Sequence, residues 1–246
     1  MEVVLTFCIE VDNVDFSYDL RPVLKNNCIQ VPAGCIYGIL GPSGCGKTTL
    51  VKLMAGILRP AAGGVKVLGQ KMPALNIMNN IGYMAQSDAL YSLLSARENL
   101  EFFGAVYGLD KKRLKQRIPE VMAVVDLADE LDKPVQNFSG GMKRRLSLAI
   151  ALLHSPPVLI LDEPTVGIDP LLRRNIWAKL FELAAAGAAI VVTTHVMDEA
   201  AHCHRLAMMR GGMLIASGTY DEILKGAHAA DVEAAFLYYG GGVDES

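Results

Sequence analysis

The chain has 246 residues, 23 basic and 26 acidic, with a formal net charge of −3; no strong field exists to draw in a polyanion, so a nonspecific nucleic-acid binder is disfavoured. Hydrophobic residues make up 52%, which fits a buried parallel sheet or a face meant for a partner, in one large domain or one domain with an inserted lobe. The five cysteines (Cys8, Cys28, Cys35, Cys45 and Cys203) are odd in number and lack a Cys-x-x-Cys pair, which argues against a disulfide scaffold and for a reducing compartment.

Met1 to Phe7 has no basic n-region, so a signal peptide is not expected. Ile9 to Tyr18 alternates and is predicted as a half-exposed antiparallel strand. Arg21-Pro22 is read as a turn into a second strand, Val23 to Val31, and Pro32-Ala33-Gly34 as another turn. Cys35 to Leu40 is a short apolar strand running into Gly41-Pro42-Ser43-Gly44-Cys45-Gly46-Lys47-Thr48; Lys47 to Gly56 then has helical spacing. This octapeptide matches G-x-x-x-x-G-K-[ST] in the context the pattern requires, strand then helix. Its glycines let backbone N–H groups turn inward around phosphate oxygens at a helix N-terminus. Lys47 would reach the β- and γ-phosphates and Thr48 would ligate Mg²⁺. Cys45, beside Lys47 and near the helix start, is expected to have a lowered pKa and raised reactivity.

Gly63-Gly64 is read as a turn before a short strand, Val65 to Leu68, and Tyr83-Met84-Ala85-Gln86 ends another. From Ser95 to Leu131 helix formers dominate, with helices predicted over Arg97 to Tyr107 and Lys111 to Val125. The texture is that of a helical lobe inserted into an α/β body, and Lys111-Lys112-Arg113 reads as a solvated helix face. Ser139-Gly140-Gly141, followed by Lys143-Arg144-Arg145, is a second glycine-rich phosphate segment.

Val158 to Leu161 is an apolar run expected of a strand covered on both faces. It ends at Asp162, at the mouth of a parallel sheet where such sheets bind ligands, a position that fits Mg²⁺ holding. Alternation sends Glu163 to the other side of the strand, and it is assigned to polarise the attacking water. Ala188 to Thr194 is a second apolar run, ending at His195; the longest apolar stretch, Leu183 to Val192, is far short of a membrane span. His202-Cys203-His204 sends adjacent side chains in different directions and is read as incidental rather than as a metal cluster. Arg205 to Met209 and Met213 to Ala216 flank Gly211-Gly212 as a hairpin. Asp221 to Tyr239 has two short helical patterns, and Gly240-Gly241-Gly242 suits a natural end or a linker.

The ordered set Gly41 to Thr48 (Walker A), Gln86 (Q-loop), Ser139-Gly140-Gly141-Met142 (signature), Leu161-Asp162-Glu163 (Walker B), Pro164 to Asp169 (D-loop) and His195 (switch histidine) resembles the nucleotide-binding domain of an ATP-binding cassette (ABC) protein. The resemblance covers nearly the whole length. It implies an α/β fold: a P-loop NTPase (RecA-like) core with an antiparallel β subdomain and an inserted α-helical subdomain. Residues 1–246 would form one ABC ATPase domain, with 1–87 and 156–246 as the core and 88–155 as the helical signature subdomain.

The resemblance further implies ATP and Mg²⁺ as cofactors. Tyr18 would stack on adenine. Gly41, Pro42, Ser43, Gly44, Cys45, Gly46, Lys47, Thr48 and Thr49 would cradle the phosphates. Thr48, Gln86 and Asp162 would hold the metal, while Lys47, Gln86, Glu163 and His195 would form the catalytic set. Ser139, Gly140 and Gly141 would close on the γ-phosphate held by a second copy, and Asp169 would support contact between the two sites. One ATP cannot reach both glycine segments from inside one compact unit, whereas two copies arranged head to tail solve this.

Phe138, Met142 and Val166 depart from the commonest family residues without removing a catalytic atom, and the motif texture resembles the exporter-type (ABC-2-like) branch. The implied function is an ATPase subunit or domain that powers export through a transmembrane partner at the cytoplasmic face of a membrane, with Ala89 to Tyr107 as the docking stretch and no nucleic acid involved. The alternative is a soluble, non-transport ABC ATPase of the cofactor-assembly or repair type. Repair types split the cassette with long coiled coils, and Gln86 and Ser139 lie too close in sequence, without sustained heptads, for that.

Overall fold

The computed structural model describes residues 7–86 and 89–241; the expectations for the first six residues and for Gly242 lie outside the described residues. Strands β1 (Phe7–Tyr18) and β2 (Arg21–Pro32) form an antiparallel hairpin. Strand β3 (Ile36–Leu40) is buried throughout and leads into helix α1 (Lys47–Met54). Strands β4 (Ala62–Val67) and β5 (Gln70–Lys71) complete a four-stranded sheet in the order β2-β1-β4-β5. Between β6 (Ile81–Met84) and β7 (Val158–Asp162) the chain forms α2 (Ala96–Val106), α3 (Lys111–Val124) and α4 (Gly140–Leu152). After β7 come α5 (Pro170–Ala185), β8 (Ala189–Thr194), β9 (Arg205–Arg210), β10 (Met213–Gly218), α6 (Tyr220–Gly226) and α7 (Val232–Tyr239).

The second sheet has six strands in the order β10-β9-β3-β8-β7-β6. All pairings in it are parallel except that of β9 with β10. Strands β3, β7 and β8 are buried at every residue, which is why they read as continuous apolar runs. Alternation splits them between two cores. Leu159, Leu161, Ile190 and Val192 pack with Trp177 and Leu180 of α5 and with Leu146 of α4. Val158, Ile160 and Val191 pack with Leu50 and Leu53 of α1 and with Val11 and Val31 of the antiparallel sheet.

Two turn assignments change. The hairpin turn lies at Asp19-Leu20, because Arg21 already pairs with Tyr18 and Pro22 with Ser17. Proline is tolerated there because β2 is an edge strand. Gly63 and Gly64 lie inside β4 and not in a turn before it. The β1–β4 register breaks between Asp12 and Asp15, and a Cβ on Gly63 would sit 2.2 Å from the Asn13 carbonyl oxygen. The glycines therefore mark a bulge where two backbones meet.

Helices α3 and α4 are pinned by arginines that satisfy orphan carbonyls at their C-terminal ends. Arg117 donates to the carbonyls of Leu152 (2.8 Å) and Leu153 (3.0 Å), and Arg145 donates to those of Val125 (3.0 Å) and Asp126 (2.9 Å). Just past α4, the His154 ring stacks on Tyr107, with centroids 3.8 Å apart. Burial pushes the His154 pKa down to about 4 from 6.5. The unfolded chain then takes up this proton more readily than the folded one. The histidine's contribution to stability is intact above about pH 6.5 and is lost as pH falls towards 4. The melting temperature should therefore fall further between about pH 7 and about pH 5 for the native chain than for His154→Phe, which keeps the stack and cannot protonate; equal falls would contradict this.

Candidate functional site

The loop between β3 and α1 is shaped by glycine. Gly46 has φ 109°, and a Cβ there would lie 2.8 Å from Leu24 Cδ2; a Cβ on Gly41 would lie 2.3 Å from the Met209 carbonyl oxygen. Neither position admits a side chain without displacing its neighbours. No side chain caps α1, so its first N–H groups remain open to an anion. Lys47 is buried, and its Nζ donates to the carbonyls of Gly41 (2.7 Å) and Pro42 (3.0 Å). A cleft of about 250 Å³ opens over this loop. Ser43, Gly44, Gly46, Lys47, Thr48 and Thr49 form its floor, with Val23, Gln86 and Glu163 on its walls. A larger groove of about 990 Å³ on the antiparallel sheet is lined by none of the motif residues.

Asp162 is fully buried at the end of β7. Its Oδ1 accepts from Thr193 Oγ1, while Oδ2 has no hydrogen-bond partner among the described residues. A buried carboxylate oxygen left in this way is costly, and a divalent cation would satisfy it. Thr48 on the cleft floor and Gln86 on its wall provide further oxygen ligands, a set that suits Mg²⁺.

Glu163 differs from its expected geometry. The strand ends at Asp162, and Glu163 adopts a left-handed backbone, φ 53°, so strand alternation does not set its direction. That conformation costs roughly 1–3 kcal/mol in a non-glycine residue. It is held because the Glu163 N–H donates to the carbonyl (3.1 Å) and Oγ1 (3.0 Å) of Thr193. The carboxylate thereby reaches the cleft, with Oε1 3.9 Å from Lys47 Nζ and 3.0 Å from His195 Nδ1. The His195 side chain is 41% exposed. An ammonium, a carboxylate and an imidazole thus converge on one phosphate cradle, the equipment needed to neutralise phosphate charge and orient a water.

Other expected site residues lie further out. Tyr18, at the end of β1, is half exposed and sits edge-on to Phe16; Val23 across the hairpin lines the cleft and Tyr18 does not. Pro42 is exposed at the loop, whereas Gly41 is buried beneath it. Ser139 caps α4 by accepting from the Met142 N–H (3.2 Å). A Cβ on Gly140 would meet nothing within 4 Å, and one on Gly141 would meet only Ser139 Oγ at 4.0 Å. None of these three lines the cleft. Asp169 caps α5 by accepting from the Leu172 N–H (3.0 Å). In the 202–204 trio, His204 Nδ1 accepts from the Ile36 N–H (2.9 Å), Cys203 is buried, and the His202 ring lies 4.9 Å from that of Trp177.

Arg144 is the residue that sequence reasoning missed. Its guanidinium donates to the carbonyls of Gln86 (2.9 Å), Asp162 (2.6 Å) and Glu163 (3.1 Å from Nε), tying α4 to two walls of the cleft. Only a guanidinium fork can donate in this pattern. A signal was present: Lys143, Arg144 and Arg145 follow closely on the start of a helix, whose positive end is an unfavourable place for cations.

Cys45 also requires correction. It is buried, and burial pushes its thiol up despite the lowering effect of Lys47. Alkylation by iodoacetamide at about pH 8 should be slower at Cys45 than at the same cysteine in the unfolded chain, as read by mass spectrometry of the labelled peptide. Equal or faster labelling in the folded protein would contradict the burial.

The ABC transporter family profile matches residues 24–166. The Nod factor export ATP-binding protein I of Paraburkholderia xenovorans (strain LB400) is 38% identical over 93% of this chain and 76% of its own length. The daunorubicin resistance ATP-binding protein DrrA3 of Streptomyces coeruleorubidus is 39% identical over 87% of this chain and 69% of its own. Among solved structures, a dimeric ATP-binding cassette in a post-hydrolysis state, bound to ADP and Pi, is 26% identical with a TM-score of 0.80, covering 86% of this chain and 98% of that one.

Proposed function

From the premise that this chain belongs to the ABC transporter family and is one of its ATP-hydrolysing cassettes, we propose that it powers export through a transmembrane partner, working as a head-to-tail pair with a second cassette. The observation that carries the reading is the division of the site. The cleft gathers the cradle and the Glu163 carboxylate, with the His195 imidazole bound to that carboxylate, yet the second glycine segment does not line it, and among the described residues a Cβ on Gly140 would meet nothing within 4 Å. A helix N-terminus flanked by unobstructed glycines lets another molecule's phosphate approach closely. On this reading Ser139, Gly140 and Gly141 complete the site of the second copy, and the loop from Pro164 to Asp169 lies against it.

Lys47 and the loop N–H groups bind the phosphates, and Tyr18 at the hairpin end stacks on the base. Mg²⁺, held by Thr48, Asp162 and Gln86, would neutralise phosphate charge. Glu163 accepts a proton from the attacking water, while His195 holds that carboxylate and the terminal phosphate in line. Hydrolysis removes the anion that joins the copies, and their separation does the work.

The helical residues 88–155 face the membrane partner in this proposal, with 1–87 and 156–246 forming the rest of the cassette. Tyr91, Leu93, Phe102 and Val106 are exposed apolar residues at the start of that segment, and the Tyr91 and Phe102 rings meet edge to face. Such a patch suits docking of a partner helix. No helix among the described residues is long and apolar enough to cross a membrane; on this proposal the chain works at the cytoplasmic face through its transmembrane partner. The two relatives are named for different cargoes, as expected if the transmembrane partner selects the substrate.

Glu163→Gln keeps binding and removes the base. In saturating MgATP, light scattering should show the mass doubling from 26.5 kDa; a monomer that retains bound ATP would contradict the pairing. Leu93→Glu should abolish co-purification with the transmembrane partner while ATP-driven pairing persists. Undiminished co-purification would overturn the docking assignment.

A further inference from the structure

Three charged side chains are buried among the described residues: Lys47, Asp162 and Glu199. The first two belong to the cleft. Glu199 does not line it, and although it falls in the run His195 to Ala200 that carries the exporter-type resemblance, no role is read for it from the sequence. It lies in the 3₁₀ segment Met197–His202 after β8, and only 2% of it is exposed. Its Oε1 accepts from Thr165 Oγ1. Its Oε2 accepts from Thr194 Oγ1 at 2.6 Å, and that hydroxyl in turn accepts from the Val196 N–H at 3.0 Å. Arg173 Nε of α5 lies 3.9 Å from Oε1, and Arg173 Nη2 donates to the Ile168 carbonyl at 3.3 Å.

These contacts have a pattern. Thr194 and Val196 bracket His195, while Thr165 and Ile168 both belong to the loop after Glu163. The adjacent Thr193 serves the opposite face of β8, where it holds Asp162 and the Glu163 N–H. Consecutive threonines on one strand thus divide the work: one fixes the carboxylates of the cleft, the other ties the imidazole's backbone to the following loop. A desolvated carboxylate contributes little net stability, since well-packed apolar residues of similar volume would serve as well or better. What it supplies is a rigid, charge-assisted hinge point.

We infer that Glu199 is a positioning residue for ATP hydrolysis. It fixes both flanks of His195 to the loop from Pro164 to Asp169, so displacement of that loop moves the imidazole relative to Glu163. Where that loop meets a second copy, which rests on the head-to-tail reading above, closure of the pair is felt at His195.

The test is steady-state ATPase kinetics on Glu199→Gln and Thr165→Val, alone and together. Each variant should lower kcat by roughly tenfold while KM for ATP stays unchanged; Thr165→Val, which takes a hydroxyl donor from a buried carboxylate, also lowers the melting temperature, so kcat is read well below that temperature. The double variant should lose no more than the worse single one, because both cut the same link. Unchanged kcat in either variant would overturn the inference, as would a kcat loss that vanishes when the variant is assayed well below its own melting temperature. Should Glu199→Gln fail to fold, Thr165→Val, nearly isosteric, decides alone. MgATP-driven pairing of Glu163→Gln and of Glu163→Gln/Glu199→Gln is measured in parallel. Failure of both to pair would sink the head-to-tail reading and leave the kinetic role of Glu199 standing; pairing by both with unchanged kcat in Glu199→Gln would do the reverse.

Discussion

The site rests on the parallel register of four strands. Leu40 lies opposite Thr194, Met84 opposite Leu161, and Asp162 opposite Thr193. Strands running the same way with matched ends deliver whatever follows them to one edge of the sheet. The phosphate loop follows β3, Gln86 follows β6, Glu163 follows β7 and His195 follows β8. The apolar runs are therefore more than a core. Their matched ends align four chemically different segments, and a one-residue slip in any strand would carry its polar end away from the others.

Charge can be buried at that edge only where hydrogen-bond partners meet it. Lys47 is covered by two loop carbonyls, Asp162 by one threonine hydroxyl, and Glu199 by two more. The incomplete case is the informative one. Asp162 keeps an oxygen without a partner among the described residues, and Thr48 and Gln86 offer oxygen ligands along the cleft. Arg144 closes the arrangement from the helical side by holding the carbonyls of the cleft walls, so movement of α4 cannot leave Gln86 and Glu163 undisturbed. A membrane partner resting on α2 would act on the site through such contacts.

Much of this was legible in the sequence because the signals are local. A complete G-x-x-x-x-G-K-[ST] loop between strand and helix points to phosphate binding, and continuous apolar runs have few hiding places outside a parallel sheet. Local signals failed where a distant backbone decided the outcome. Gly63-Gly64 reads as a turn until Asn13 is found against it. Cys45 reads as an activated thiol until its burial outweighs the neighbouring ammonium. Glu163 reads as a strand residue until Thr193 fixes it left-handed. The acceptors of Arg144 at Gln86 and Asp162, and the partners of Glu199 at Thr165 and Arg173, come from segments far apart in the chain, and no spacing rule joins them.

The central claim is that one ATP is enclosed by the cradle of one copy and the signature segment of another. Mixing two inactive variants tests it most directly. Gly141→Asp keeps the cradle and places a carboxylate where phosphate must approach; the open space there and the helix N-terminus both tolerate it. Lys47→Ala keeps the signature and disables the cradle. Each alone should lack ATPase activity, and an equimolar mixture should recover it, because the mixed pair contains one intact composite site. A mixture as inactive as its components, with both variants folded and Gly141→Asp binding ATP, would contradict the account.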